Sequence, residues 1–122
     1  MTPPPPDVDV SLPRNFLRPC LLLLIFEGAT HGYELLEQVR ALGLTSADAA
    51  GVYRCLRAMD EEGLLASQWE PSSTGPARRI YTVTPQGRTQ LDTMTSRLSD
   101  TVEALTRFLD RCDGALPKAA TR

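Results

Sequence analysis

The sequence predicts a mainly α fold with one small β-hairpin, an α+β arrangement of three short helices, two strands and a long final helix. Three observations carry this expectation. Three segments between positions 14 and 62 read as helices, the first helical in length and apolar nearly all round, the other two with apolar residues at helical spacing, closed by Gly28, Gly43 and Gly63. The period then changes to alternation on either side of the turn-forming run at 71–76. Finally, Thr84 and Pro85 open a segment whose apolar positions step by three and four as far as Cys112.

The chain has 122 residues, 42% hydrophobic and 23% charged, the profile of one ordinary domain. A domain of this size is marginal alone, so self-association is expected. Cys20, Cys55 and Cys112 are odd in number and widely spaced, which points to reduced thiols in the cytoplasm rather than a disulfide framework. The opening, Met1-Thr2 followed by four prolines, does not resemble a secretory signal. The longest apolar run, 20–26, is too short to span a bilayer.

Residues 1–12 read as a disordered proline-rich arm, 13–84 as a folded module, 85–113 as a dimerisation helix and 114–122 as a flexible tail. The first helix, expected over 14–27, is apolar nearly all round and so requires cover on more than one side. That cover is expected from another subunit or from a long helix elsewhere in the chain. His31 is placed as N-cap of the second helix, with Glu34 in the capping-box position and Leu35, Leu36 and Val39 inward. The third helix starts at the Asp48 cap and turns Val52, Leu56 and Met59 inward. Leu65, Ser67 and Trp69 share one face of the first strand, and Tyr81 and Val83 one face of the second.

Three helices and a hairpin in this order make a winged helix-turn-helix, whose third helix lies in the major groove while the hairpin reaches the flanking backbone. The net charge of −2 does not by itself indicate a nucleic-acid partner. The distribution permits one: residues 71–90 hold Arg78, Arg79 and Arg88 and no acid, whereas Asp60, Glu61 and Glu62 cluster elsewhere. An arginine fork grips phosphate in two places and also fits a narrow minor groove.

The ordered fragments His31-Gly32-Tyr33-Glu34-Leu35, Val52-Tyr53-Arg54, Leu56-Arg57, Gly63-Leu64, Gly75-Pro76, Arg78-Arg79-Ile80-Tyr81 and Thr84-Pro85-Gln86-Gly87-Arg88 resemble the PadR-like regulators. Each fragment is weak alone; their combination, covering about 17–88, is specific. The resemblance implies a transcriptional regulator, acting as a homodimeric repressor on a palindromic operator in double-stranded DNA. It also implies release by a small aromatic or drug-like effector, and a compact branch with a single C-terminal helix. The DNA-binding set is expected to be Ala49, Ala50, Gly51, Tyr53, Arg54, Arg57, Arg78 and Arg79. The last helix of one subunit is expected against the first helix of the other. Phe16, Cys20, Leu23 and Leu24 supply one side of that interface; Leu91, Met94, Leu98, Val102, Leu105 and Leu109 supply the other. Where the family carries a small hydroxyl residue before the Val-Tyr pair, this chain has Gly51, so its reading turn offers little beyond alanine methyls for thymine.

Blander roles are expected at other positions. His31 is read as a cap, Tyr33 as packing between the second helix and the wing, and Trp69 as pairing across the hairpin with Tyr81. Cys112 on the apolar seam is read as a small apolar residue rather than a redox sensor. No phosphate loop, metal-ligand cluster or nucleophile with a base is present in the sequence, so neither an enzyme, a cofactor nor a metal is expected. The alternative reading is a winged-helix dimer acting as a protein-interaction adaptor without specific DNA binding.

Overall fold

Four helices and a two-stranded antiparallel sheet follow one another in the computed structural model, which describes residues 12–29, 31–71 and 75–116. The elements are α1 (Leu17–Glu27), α2 (Gly32–Ala41), α3 (Ala49–Glu61), β1 (Leu65–Glu70), β2 (Arg78–Val83) and α4 (Pro85–Ala115). The expectations for 1–11 and 117–122 lie outside the described residues. The chain divides into two compact units, the first ending at Leu91 and the second beginning at Asp92.

Within the first unit, α1 starts three residues later than its apolar pattern suggests. Asn15 takes a φ of 60°, a left-handed conformation that asparagine tolerates better than most residues. Pro19 then falls in the first turn, where its missing N–H has no intrahelical acceptor to lose. Gly28, at φ 121°, closes the helix. The α2–α3 turn is braced by Arg40 Nε, which donates to the Ala47 carbonyl at 2.9 Å.

Leu21 and Leu22 of α1, Leu35 and Val39 of α2, Val52, Leu56 and Met59 of α3, and Leu65 of β1 are all fully buried. Each such side chain contributes about 1.5–3 kcal/mol by leaving water. The cover for α1 comes from α2, α3 and β2 of the same subunit. This corrects the expectation that a partner or a distant helix is needed there. Cys20 and Leu24, at 4% and 5% exposure, belong to this core and present nothing to a partner. Leu23 and Phe26, at 37% and 54%, are the large apolar side chains that α1 leaves at the surface.

The hairpin pairs Leu65 with Val83, Ser67 with Tyr81, Trp69 with Arg79 and Glu70 with Arg78. Its base is fastened to the start of α4. Thr84 Oγ1 donates to the Gly63 carbonyl at 2.6 Å and accepts from Gly87 N at 3.0 Å. Gly87 itself is buried, and a Cβ there would collide with the Leu64 carbonyl.

The second unit carries the remainder of α4, which continues two residues past its expected end at 113. Val102, Leu105, Phe108 and Leu109 are each more than half exposed. No helix among the described residues is long and apolar enough to cross a membrane.

Candidate nucleic-acid interface

α3 has two unlike faces. Val52, Leu56 and Met59 fill the core, while Ala50, Tyr53, Arg54 and Arg57 are exposed away from it and Ala49 is exposed as the first residue of the helix. Positions 50, 53/54 and 57 follow one another at steps of three and four residues over two turns, so they form one continuous stripe. Four of the expected α3 residues, Ala50, Tyr53, Arg54 and Arg57, are therefore brought together, with Ala49 and the half-buried Gly51 beside them in the first turn.

The N-terminal turn explains the glycine. Asp48 caps α3 by accepting from Gly51 N at 2.9 Å. A Cβ on Gly51 would stand 2.8 Å from that carboxylate oxygen and 3.8 Å from Arg54 Nη2. The space a larger residue would fill is thus closed by the cap on one side. Arg54 reaches back over the other, which puts a guanidinium where the sequence shows only alanines and glycine.

Tyr53 reaches the second helix. A Cβ on Gly32 would overlap its ring, so the glycine at the start of α2 is what lets Tyr53 lie there. Tyr53, Tyr33 and Trp69 open onto a cleft of about 850 Å³ between α2, α3 and the hairpin, with Arg57 and Arg78 on its walls.

Three expected roles are corrected. Tyr33 is 69% exposed and stacks beside His31, ring centroids 6.4 Å apart, so it is not packed between helix and wing. His31 holds the N-cap position of α2 with extended backbone, but its side chain makes no cap hydrogen bond. Its Nε2 instead faces Glu70 Oε1 at 3.2 Å. Trp69 lies opposite Arg79 and not Tyr81; the register places Tyr81 across from Ser67. The guanidinium of Arg79 sits over the indole, 5.2 Å from its centroid.

The two wing arginines differ. Arg79 Nε donates to Ser67 Oγ at 3.1 Å, and its Nη2 lies 3.4 Å from Asp60 Oδ2. Arg78 is exposed and pairs in register with Glu70, whose carboxylate faces His31. Tyr81, buried beneath, has its phenol pKa pushed up by desolvation.

Of the residues expected at a dimer contact, Phe16, Leu91, Met94 and Leu98 are half-buried, while Leu23, Val102, Leu105 and Leu109 are exposed. Phe26, Phe108 and Leu116 are exposed too and were not in the expected set. The signal for Phe108 was available, since it stands three residues beyond Leu105 on the same helix; Leu116 lies one residue past the helix end. Phe26 is partly covered by Arg88, whose guanidinium lies 4.9 Å from the ring centroid.

The fold and this stripe define a winged helix-turn-helix regulator. The family model of the PadR-like transcriptional regulators matches residues 21–93. The chain belongs to that family, whose members are transcriptional regulators and not enzymes. It is similar to a PadR-like transcriptional regulator from Bacillus cereus, at 28% identity and TM-score 0.68, covering 76% of this chain and 90% of that one. A conserved protein of unknown function, described as a potential transcriptional factor, matches at 30% identity and TM-score 0.74, covering 88% and 99%. Bacillus subtilis PadR, solved in complex with operator DNA, matches at 25% identity and TM-score 0.59, covering 65% of this chain and 46% of that one. No curated protein matches the chain.

Proposed function

We propose that the chain acts as a cytoplasmic homodimeric repressor that binds double-stranded DNA at a palindromic operator. The observation that carries this reading is the exposed stripe of Ala50, Tyr53, Arg54 and Arg57 on α3, flanked by the wing with Arg78. A helix of this composition beside a hairpin suits a major groove: the alanines meet thymine methyls, Arg54 reaches bases or phosphate at the N-terminal turn, and Tyr53 and Arg57 hold the backbone. The likeness to Bacillus subtilis PadR, which was solved with operator DNA, supports the same assignment.

The apolar face of α4 supports a dimer. Val102, Leu105 and Leu109 recur at steps of three and four and are about 60% exposed, which is expensive in water and suits a second copy. On this reading, α4 of one subunit meets Leu23 and Phe26 on α1 of the other. The two α3 helices then enter successive major grooves ~34 Å apart. Release by a small aromatic or drug-like effector fits the same contact. A molecule seated between α1 and the partner's α4 would change the angle between subunits and with it the spacing of the reading helices.

The test is a titration of the protein against the DNA upstream of its own coding sequence, at about 50 and about 200 mM salt, with unrelated DNA as competitor. Binding that weakens steeply with salt yet survives competitor is expected. Binding abolished by competitor, or none at either salt, overturns the reading and favours an adaptor that works through protein contacts.

A further inference from the structure

The two wing arginines are neighbours in sequence and both border the cleft, but strand alternation starts their side chains from opposite faces of the hairpin. Arg79 shares its face with Ser67, Trp69 and Tyr81 through the register of β1 and β2. On that face it meets three anchors: Ser67 Oγ at 3.1 Å, Asp60 Oδ2 at 3.4 Å and the Trp69 ring at 5.2 Å. Ser67 Oγ in turn donates to Asp60 Oδ2 at 2.6 Å. One carboxylate oxygen therefore collects both the hydroxyl and the guanidinium. Arg78 has no side-chain hydrogen bond or ion pair to a described residue, and the carboxylate across from it on Glu70 is met by His31.

Asp60 stands in the last turn of α3, where the helix dipole disfavours an anion, and that turn holds no basic residue. Its compensation comes from outside the helix. The same is true of Glu62, which pairs with Arg18. Two of the three acids at this helix end thus tie α3 to other elements, Glu62 to α1 and Asp60 to the wing.

We propose that Asp60 is a wing-positioning residue, whose carboxylate holds Arg79 against the hairpin so that Arg78 alone carries the wing's charge to a DNA phosphate. The inference rests on the DNA-binding function proposed above. Arg79 paired with Asp60 adds no net charge at the interface, so it displaces few counterions when DNA binds. Its task is to set the angle between the wing and α3. Freed from Asp60, it would add a phosphate contact that carries no sequence information, and specificity would fall.

The test has two readouts on the full chain. In the free protein, the Arg79 Nε–H is followed by NMR. A signal protected from exchange in the wild type, and lost in both Asp60→Asn and Ser67→Ala, is expected. Wild-type exchange as fast as that of a free guanidinium overturns the clamp. With DNA, the slope of log affinity against log salt is measured, in which one phosphate contact is worth about 0.9. Arg78→Ala should lower it by about one contact per half-site, Arg79→Ala should leave it nearly unchanged, and Asp60→Asn should raise it while narrowing the gap between operator and competitor DNA. Equal loss of slope in Arg78→Ala and Arg79→Ala overturns the proposal. If the wild type binds no DNA, the proposed function fails, while the NMR signal still decides the clamp.

Discussion

Tyr53 of α3 lies over Gly32 at the start of α2, closely enough that a side chain at 32 would collide with its ring. The contact joins α2 to α3 at the solvent-facing side of α3, where the core residues Val52 and Leu56 do not reach. It also sets where the phenol of Tyr53 points.

Gly32→Ala should therefore act through Tyr53. The ring is 46% exposed and has room to swing outward, so the fold should persist, with a melting temperature close to that of the wild type. DNA affinity should drop roughly tenfold, the loss of one contact worth about 1.4 kcal/mol. Tyr53→Ala should give the same loss, and the double variant no more than either alone, because both remove one contact. Calorimetry and titration on the four proteins check this.

Gly87 is a different case, since its obstacle is the Leu64 carbonyl rather than a movable side chain. Gly87→Ala forces apart the wing base and the start of α4, and should cost about 1–3 kcal/mol as overpacked cores do. Leu56→Ala, at a site with no exposure, should cost about 2–5 kcal/mol by leaving a cavity. Urea unfolding of each variant measures both.

The thiol of Cys20 is pushed up to about 11 from its ordinary 9.0 by burial. The folded state thus favours the protonated form more than the unfolded chain does. The resulting stability is fully present below pH 9 and is lost as pH rises through 11. Urea midpoints should fall across that window in the wild type and less steeply in Cys20→Ala. At pH 8, a thiol reagent should modify Cys20 only after unfolding.

Replacing apolar residues on α4 should separate folding from assembly. Leu105→Glu with Leu109→Glu puts charges on a face that is exposed in the single chain, so the first unit should keep its helical signal and melting transition. Sedimentation should show dimer for the wild type and monomer for the variant.

Much of the architecture follows from local pattern. The change from helical to alternating period placed the wing, and the glycines at 28, 43 and 63 closed three helices at positive φ. The caps divide by chemistry: Asp48 and Thr84 bond as their short oxygen side chains suggest, while His31 is drawn to Glu70. What local pattern did not show was pairing across elements. The apolar circumference of α1 is the same whether a partner or the chain itself covers it, and only the packing against α2, α3 and β2 places Cys20 and Leu24 inside. Likewise, Arg78 and Arg79 look equivalent in sequence, and only the hairpin register and the position of Asp60 separate them.

The most direct test of the account is a hydroxyl-radical footprint on the protein's own upstream DNA. Two protected half-sites with centres about one helical turn apart are expected, vanishing together in Leu105→Glu with Leu109→Glu. A single protected patch, or protection that survives in that variant, would contradict a dimer reading DNA through paired α3 helices.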